Sequence, residues 1–516
     1  MKEFKQMLKR EIPDFRALGH AFQKKELSMM EYKGKSGGFG VYAERGGEYF
    51  MIRLRIPSGV LSVEQLKLVY QYAKKYNLRE MHFTTRQTIQ LHHLSIDNVC
   101  DIMDAAIDEG IYTRGGGGNY PRNVSLSPLA GVAIDEVFDP TDFALMVNEH
   151  FLSKITSYHL PRKLKVSFSN NEKDTGNATF NDLGFLAVKK DNKPYFKMYL
   201  CGGLGNNPQV SIPYDELVDP KDVLYHVEAM TNFFMAEGDY ENRAKARTRY
   251  IAMRLGPEET LRLYKEHYKK VKETEKLKEL EAKFTPCEVD DKDFLYDLGI
   301  IPQRQKALYT VVIHPLGGTI GMEDARQLIE FVEKVHNVDM RLAMDESLYV
   351  RNLSYDQAEE LLALTKDYNP QIRIHRSMSC IGVPTCQIGI AETQKALREM
   401  LDYLKTKDIC LDSLPYIHFS GCNNSCGTHQ IAALGFAGRR KKIDGQLADA
   451  YEVFAGGTSG EGETKLGTTY GTIAAKDVPE FVYQLAVKLE DCSMEFEEYL
   501  AEKNEEFKDL VTNFSC

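Results

Sequence analysis

Residues 59–97, GVLSVEQLKLVYQYAKKYNLREMHFTTRQTIQLHHLSID, align without a gap on residues 318–356, GTIGMEDARQLIEFVEKVHNVDMRLAMDESLYVRNLSYD, at an offset of 259. Gly59/Gly318, Glu64/Glu323, Lys75/Lys334, Met81/Met340, Leu94/Leu353, Ser95/Ser354 and Asp97/Asp356 coincide. The hydropathy pattern agrees as well. Ahead of the first helix Phe50, Ile52, Leu54 and Ile56 alternate as on a strand; Val63, Leu66, Val69 and Ala73 then fall on one face of a helix, and a hairpin-like pair follows. Both copies read β-α-β-β, so the chain is an internal duplication.

A second unit recurs downstream of each copy. FSNNEKDTGNATFNDLGF (168–185) resembles FSGCNNSCGTHQIAALGF (419–436), and a Gly-Gly turn follows each about twenty residues later, Gly202-Gly203 and Gly456-Gly457. The fold class is therefore α+β, two tandem halves, each a β-α-β-β half domain followed by an α+β domain. The expected boundaries are 1–105 and 106–255 for the first half and 293–365 and 366–516 for the second. Residues 256–292 join them. Within that joint KEHYKKVKETEKLKELEAKF (265–284) is densely charged and predicts a solvated helical connector.

The two halves differ where charge and sulfur stand. The TTRQ hairpin carries Arg86, and the aligned position in the second copy is Asp345. Cys422 and Cys426 have polar, non-thiol counterparts in SNNEKDTG. Cys422-x3-Cys426 and the upstream Cys380-x5-Cys386 give four thiols in loops rich in small residues, which matches the needs of an iron–sulfur cubane. Zinc sites usually space their ligand pairs C-x2-4-C, a range that C-x5-C exceeds. Cys100, Cys201, Cys287, Cys410, Cys492 and Cys516 read as ordinary small residues.

Cations gather in the first half. In LPRKLKVSF, strand alternation puts Lys163 and Lys165 on one face and Leu164, Val166 and Phe168 on the other. Two ammoniums at contact range repel by about 4 kcal/mol at an effective dielectric of 20, which calls for an anion. Arg122 follows the Gly-rich segment 115–118, which completes neither G-x-G-x-x-G nor a P-loop.

The cysteine signature, TTRQ, the RN after the Gly-rich segment and the PRKxK run together resemble the sirohaem- and [4Fe–4S]-containing nitrite and sulfite reductases, over about residues 35 to 490. The resemblance implies ferredoxin-like half domains, and α+β domains that bind sirohaem and the cluster. It implies that Cys380, Cys386, Cys422 and Cys426 hold the cluster, Cys426 sharing its thiolate with the sirohaem iron. It assigns Arg86, Arg122, Lys163 and Lys165 to the substrate anion, sulfite or nitrite. Gly202, Gly203, Gly456 and Gly457 are expected beside the macrocycle, and Arg247 and Arg249, from NRAKARTRY with Arg243 and Lys245, are expected to meet its carboxylates. An iron–sulfur electron-transfer or binding module without sirohaem is the alternative.

Composition agrees with a globular enzyme. The chain is 43% hydrophobic, lacks Trp, and no run approaches the roughly 18 apolar residues of a membrane helix. A net charge of −10 speaks against general nucleic-acid binding. MKEFKQMLKREIPDF has no apolar secretory stretch, so the cytoplasm is the expected location. Without a nicotinamide fingerprint, electrons are expected from an external donor such as ferredoxin or a reductase subunit, with Arg439, Arg440, Lys441 and Lys442 as a candidate contact. His82, His92, His93 and His429 are expected to be structural.

Overall fold

The internal repeat folds as the sequence reads, and each copy also lends a strand to the other. The structure, a computed structural model, describes residues 2–284, 286–289, 299–443 and 445–516. In the first copy Phe50–Arg55 pairs with Val41–Ala43 and Thr88–Leu94, and Glu80–Phe83 follows. The fifth strand is Thr319–Gly321 of the second half, with Thr319 opposite His82. Reciprocally, Ile300–Pro302, Tyr309–Ile313, Leu348–Leu353 and Asp339–Leu342 are completed by Val60–Leu61 of the first half, with Met340 opposite Leu61.

The residues shared by the two copies explain why both fold alike. Ser95 and Ser354 cap the helices Ile96–Asp108 and Tyr355–Thr365, accepting from the backbone N–H of Asn98 and Gln357. Met81, Met340, Leu94 and Leu353 are buried in the core. Gly59 (φ +74°) and Gly318 (φ +72°) sit where the exchanged strands begin. A Cβ on Gly59 would lie 2.5 Å from Leu342 O, and one on Gly318 would lie 2.4 Å from Phe83 O, the aligned carbonyl of the other copy. Both positions need glycine for φ and for the close backbone approach. The two half domains thus share one core, joined by the N-terminal helix Lys2–Gln23, instead of forming the separate units 1–105 and 293–365. The expected boundary at 292/293 lies outside the described residues.

The α+β domains also repeat. Ser125–Leu126, Val166–Ser169, Leu183–Lys190, Lys193–Leu200 and Ile212–Pro213 form one sheet; Met378–Ser379, Ile417–Ser420, Leu434–Ile443, Gln446–Ala455 and Thr468–Ala474 form the other. In both, two parallel pairs are followed by antiparallel hairpin pairing. Each has its own apolar core.

Residues 265–284 expose most of their charged side chains, as their charge predicts, but they also pack on the first α+β domain instead of standing free. The helix Pro257–Thr274 ends before the segment does, and it packs on Val223–Glu237, burying Tyr264 and Val271. Leu277 and Leu280 beyond it cover the same core. The scattered apolar residues outweigh the charges because the lysines and glutamates can face water from one side of the helix. Among the described residues no helix is long and apolar enough to cross a membrane.

Gln87 ties the layers together. Buried with φ +54°, it donates to Leu126 O and Leu342 O at 2.8 and 2.7 Å and accepts from Leu126 N–H at 2.9 Å. Gln87→Met keeps the length but strands three backbone groups, so the substitution is expected to cost about 2–4 kcal/mol. Urea unfolding reads this out, and an unchanged midpoint would contradict it.

Candidate active site: a cationic cavity facing four thiols

The polar face of the first half domain's sheet, the hairpin between its strands and the loops of the second α+β domain enclose a cavity of about 880 Å3. Cys380, Cys386, Cys422 and Cys426 line it together with Arg86, Arg122, Lys163 and Lys165. All eight side chains singled out as metal and substrate residues meet in one place, brought from opposite halves. Eleven lysine and arginine side chains line the wall against two carboxylates, Glu44 and Glu346. In a chain of net charge −10, that excess marks a site for a polyanion.

Arg86 stands in the turn between Glu80–Phe83 and Thr88–Leu94. Its guanidinium donates to Ser125 Oγ at 3.0 Å and Val166 O at 2.9 Å, and its buried Nε has no partner. Neighbouring Thr85 donates to Cys426 O at 2.8 Å, so the cationic hairpin is fastened directly to the cysteine loop. Arg122 donates to Gly117 O at 2.6 Å and Gly118 O at 2.8 Å. Burial draws both guanidiniums down to about 9.

Lys163 and Lys165 precede the strand Val166–Ser169 instead of lying within it. The alternation nevertheless persists: Leu164, Val166 and Phe168 are fully buried, while both lysines reach the cavity. Parallel bridging of Leu164 to Pro121 extends the pairing by one residue, and Asp182 accepts from the Lys165 backbone N–H at 2.8 Å. Neither ammonium has a hydrogen-bond or ion-pair partner among the described residues. Burial, then the charges of Arg86 and Arg247, pulls Lys165 down to about 7. Burial with Lys165, Arg247 and Arg122 as neighbours holds Lys163 well below the ordinary ammonium range.

The thiols sit in tight turns whose backbone points at sulfur. Gly421 N–H donates to Cys380 Sγ at 3.1 Å, and Asn424 Nδ2 donates to Cys422 Sγ at 3.3 Å. Burial raises the Cys386 thiol, and the N–H groups of Ile388 and Gly389 pull it back. Among the described residues no three of His, Cys, Asp and Glu are grouped to hold a single ion. Four cysteine thiols on one wall supply the ligand number of an iron–sulfur cluster.

Six expected cofactor residues do not reach the cavity wall. Arg247 pairs with fully buried Asp182 at 2.8 Å, and Arg249 donates to Asn206 O and Asn207 O at 2.6 and 2.9 Å. Arg243 of the same run does line the cavity, and Lys245 is exposed. A Cβ on Gly202 would lie 2.1 Å from Ser211 Oγ and one on Gly457 2.7 Å from Ala432 O, so these turns pack on protein. Gly203 and Gly456 also face protein atoms, the arginine pair and Leu500. Beyond the turns, the loops clasp the opposite half. Gly205 exchanges two hydrogen bonds with the Gln430 side chain, at 2.8 and 2.9 Å, and Glu461 N–H donates to Glu172 O at 2.8 Å.

Six of the cavity's cations, Lys33, Lys35, Arg53, Arg55, Arg114 and Arg162, escaped the sequence reading. Arg53 and Arg55 alternate with Phe50, Ile52 and Leu54 on one strand, so the apolar run that revealed the strand also put two guanidiniums on its other face. Arg55 is buried and donates to Arg114 O at 3.1 Å. His82 and His92, read as structural, line the cavity too. His92 and His93 both meet Glu44, and His429 is buried with neither ring nitrogen partnered. Of the six remaining cysteines Cys100 and Cys201 are buried in cores, and none lines the cavity.

Known proteins carry the same layout. The profile described as the nitrite/sulfite reductase ferredoxin-like half domain matches twice, at 42–108 and 301–368. The profile described as the nitrite and sulphite reductase 4Fe-4S domain matches 117–272, the cation-bearing copy of the duplicated α+β unit. A ferredoxin–nitrite reductase of Synechococcus elongatus is 28% identical over 85% of this chain and 86% of its own length. A ferredoxin sulfite reductase of Mycolicibacterium paratuberculosis is 26% identical over 80% and 74%. The solved structure of NirA from Mycobacterium tuberculosis superposes with a TM-score of 0.79 at 22% identity, covering 94% of this chain and 92% of that one, which establishes the common fold. The two profiles together span more than half of the sequence, one of them recurring where the sequence itself recurs, and the chain belongs to the nitrite and sulfite reductase family.

Proposed function

We propose that the chain catalyses the six-electron reduction of sulfite to sulfide, or of nitrite to ammonia, using sirohaem and a [4Fe–4S] cluster. The observation that carries this reading is the meeting of four thiols from one half with half-buried, unpaired ammoniums from the other in a single cavity. Cys380, Cys386, Cys422 and Cys426 are assigned to the cluster, with Cys426 also serving the sirohaem iron. The wall fits a carboxylate-rich macrocycle by its excess of cations and by its volume, which falls in the range of cofactor pockets. When bound, the two groups supply single electrons and an iron to which the anion attaches.

The protein's own side chains bind the anion and deliver protons. Arg86 and Arg122 are held by backbone carbonyls and a serine, so their charge is in position before the anion arrives. Each oxygen must leave as water. Lys163 and Lys165 are the proton donors, because burial and neighbouring cations hold both ammoniums below the ordinary lysine range, so they release protons more readily, while guanidiniums stay charged. A fourth cation helps a dianion more than a monoanion, which favours sulfite over nitrite. The donor is an acidic one-electron carrier such as ferredoxin, the partner named for several relatives. Of the basic run, Arg439 and Arg440 pair with Glu452 and Asp449, and Lys441 and Lys442 stay exposed for such a contact.

The anaerobically purified protein is expected to absorb in the Soret and red regions. A cluster spectrum alone would instead favour an electron-transfer module. Cys426→Ser is expected to lower iron and acid-labile sulfide sharply; full retention of both would remove that cysteine from the ligand set. Lys165→Asn is expected to depress sulfite turnover at least several-fold more than nitrite turnover, and equal losses would cancel the preference for sulfite. The same ammonium sets an alkaline limit. Because a lysine donates only below its own pKa, turnover should fall as pH rises through and above about 7, and Lys165→Arg, which keeps the charge without releasing a proton, should lower turnover and remove that fall. An unmoved limit would assign it to another group.

A further inference from the structure

The Gly-rich segment 115–118 matches no nucleotide fingerprint, and its role follows from what it touches. Arg53 donates to Gly116 O at 2.6 Å, and Arg122 holds Gly117 O and Gly118 O. The N–H of Gly118 donates to Tyr42 Oη at 3.0 Å. A Cβ on Gly117 would lie 2.3 Å from that oxygen, and one on Gly37 3.1 Å, so both glycines make room for the phenol.

Tyr42 lines the cavity. Its oxygen is already used as an acceptor, yet its own O–H finds no acceptor among the described residues. A donor left free at the wall of an anion cavity, beside two guanidiniums, is matched by an oxyanion. Burial disfavours the phenolate, but Arg122, Arg53, the Gly118 N–H and Lys33 outweigh it and hold the group below the usual tyrosine value.

We propose that Tyr42 is a further substrate-touching residue, donating a hydrogen bond and then its proton to an oxygen of the bound sulfite or nitrite. The assignment rests on the reading of the cavity given above. In the step, the tyrosine O–H bond breaks as a bond forms from that proton to the departing oxygen, and the electron pair stays on the phenolate. The electrons that cleave the S–O or N–O bond come from the external donor. A second proton completes water, and solvent restores the phenol. The neighbouring guanidiniums stabilise the phenolate in between.

The test is Tyr42→Phe in the cofactor-loaded protein, with sulfite and nitrite binding followed by titration and turnover driven by a chemical reductant. About tenfold weaker binding of at least one anion and a tenfold to hundredfold drop in turnover are expected, with cofactor absorption unchanged. Near-ultraviolet titration of the cofactor-free protein adds a readout that a packing role would not supply: one tyrosine should ionise ahead of the rest, and Tyr42→Phe should abolish that early step. A variant equal to the parent in binding and turnover, or an early step that survives, would overturn the assignment while leaving the reductase reading intact. A parent that neither binds nor reduces either anion would sink both.

Discussion

Two backbone contacts between the halves set the geometry on which the cavity depends. Gly59 lies against Leu342 O and Gly318 against Phe83 O, and the strand that starts at each glycine completes the other copy's sheet. Because the contacts are reciprocal, they fix the angle between the two copies as an isologous interface does, but within one chain. The TTRQ hairpin leaves the end of the strand that carries Phe83, so the same contact fixes where Arg86 enters the cavity. Thr85 then completes the link by donating to Cys426 O. Cations and thiols face one another because the duplication has a two-fold relation and each half spends its copy of the hairpin and loop differently.

Holding that many positive groups under a protein surface is unfavourable in itself, and the pattern of partners says how the fold tolerates it. Arg122 donates to backbone carbonyls, and Arg86 to one carbonyl and a serine hydroxyl, groups that solvate a charge without neutralising it. Asp182, fully buried behind the lysines, accepts from Arg247, Thr248 and the Lys165 backbone. Its carboxylate is thereby committed to the supporting layer, and the two ammoniums in front stay unpaired. Like charge at close range is costly in a low dielectric. On the proposed reading, a bound anion would remove that cost, so part of its affinity would come from relieving the repulsion between these cations.

The fold was legible because periodicity and repetition report burial, which the sequence encodes at every second or third residue. Four of the seven paired identities proved to be a helix cap, two core positions and the seam glycines, while Glu64/Glu323, Lys75/Lys334 and Asp97/Asp356 lie at or near the surface. The cavity was legible where polarity broke the internal symmetry, at Arg86, Cys422 and Cys426. It was less legible where function shares a strand with folding: Arg53 and Arg55 stand between the apolar residues that defined the strand, and attention to one face hid the other. The Gly-Gly turns misled for a related reason. A glycine reports a close approach without saying to what, and here the neighbours are protein atoms of the same half: Ser211, Arg247 and Arg249 for one turn, Ala432 and Leu500 for the other. Charge density was an incomplete guide over 265–284, since long charged side chains on a helix can reach water while its other side buries Tyr264 and Val271.

The duplicated hairpin also shows how one copy was released from the constraints of the other. Gln87 meets the Leu126 backbone with both ends of its amide, and the aligned residue in the second copy is Glu346. Glu346 repeats half of the arrangement, accepting from Ser379 N–H at 3.2 Å at the equivalent strand. An amide presents a donor and an acceptor at any pH, whereas a carboxyl does so only when protonated. Burial favours that form, holding Glu346 well above the normal carboxylic range. The second copy therefore keeps the packing of the first with a different functional group, and its neighbour, Asp345, replaces the guanidinium that the first copy extends into the cavity. A position that must satisfy buried backbone can change its chemistry as long as its hydrogen-bonding capacity survives, and that latitude let one hairpin carry the cation while the other kept only the scaffold.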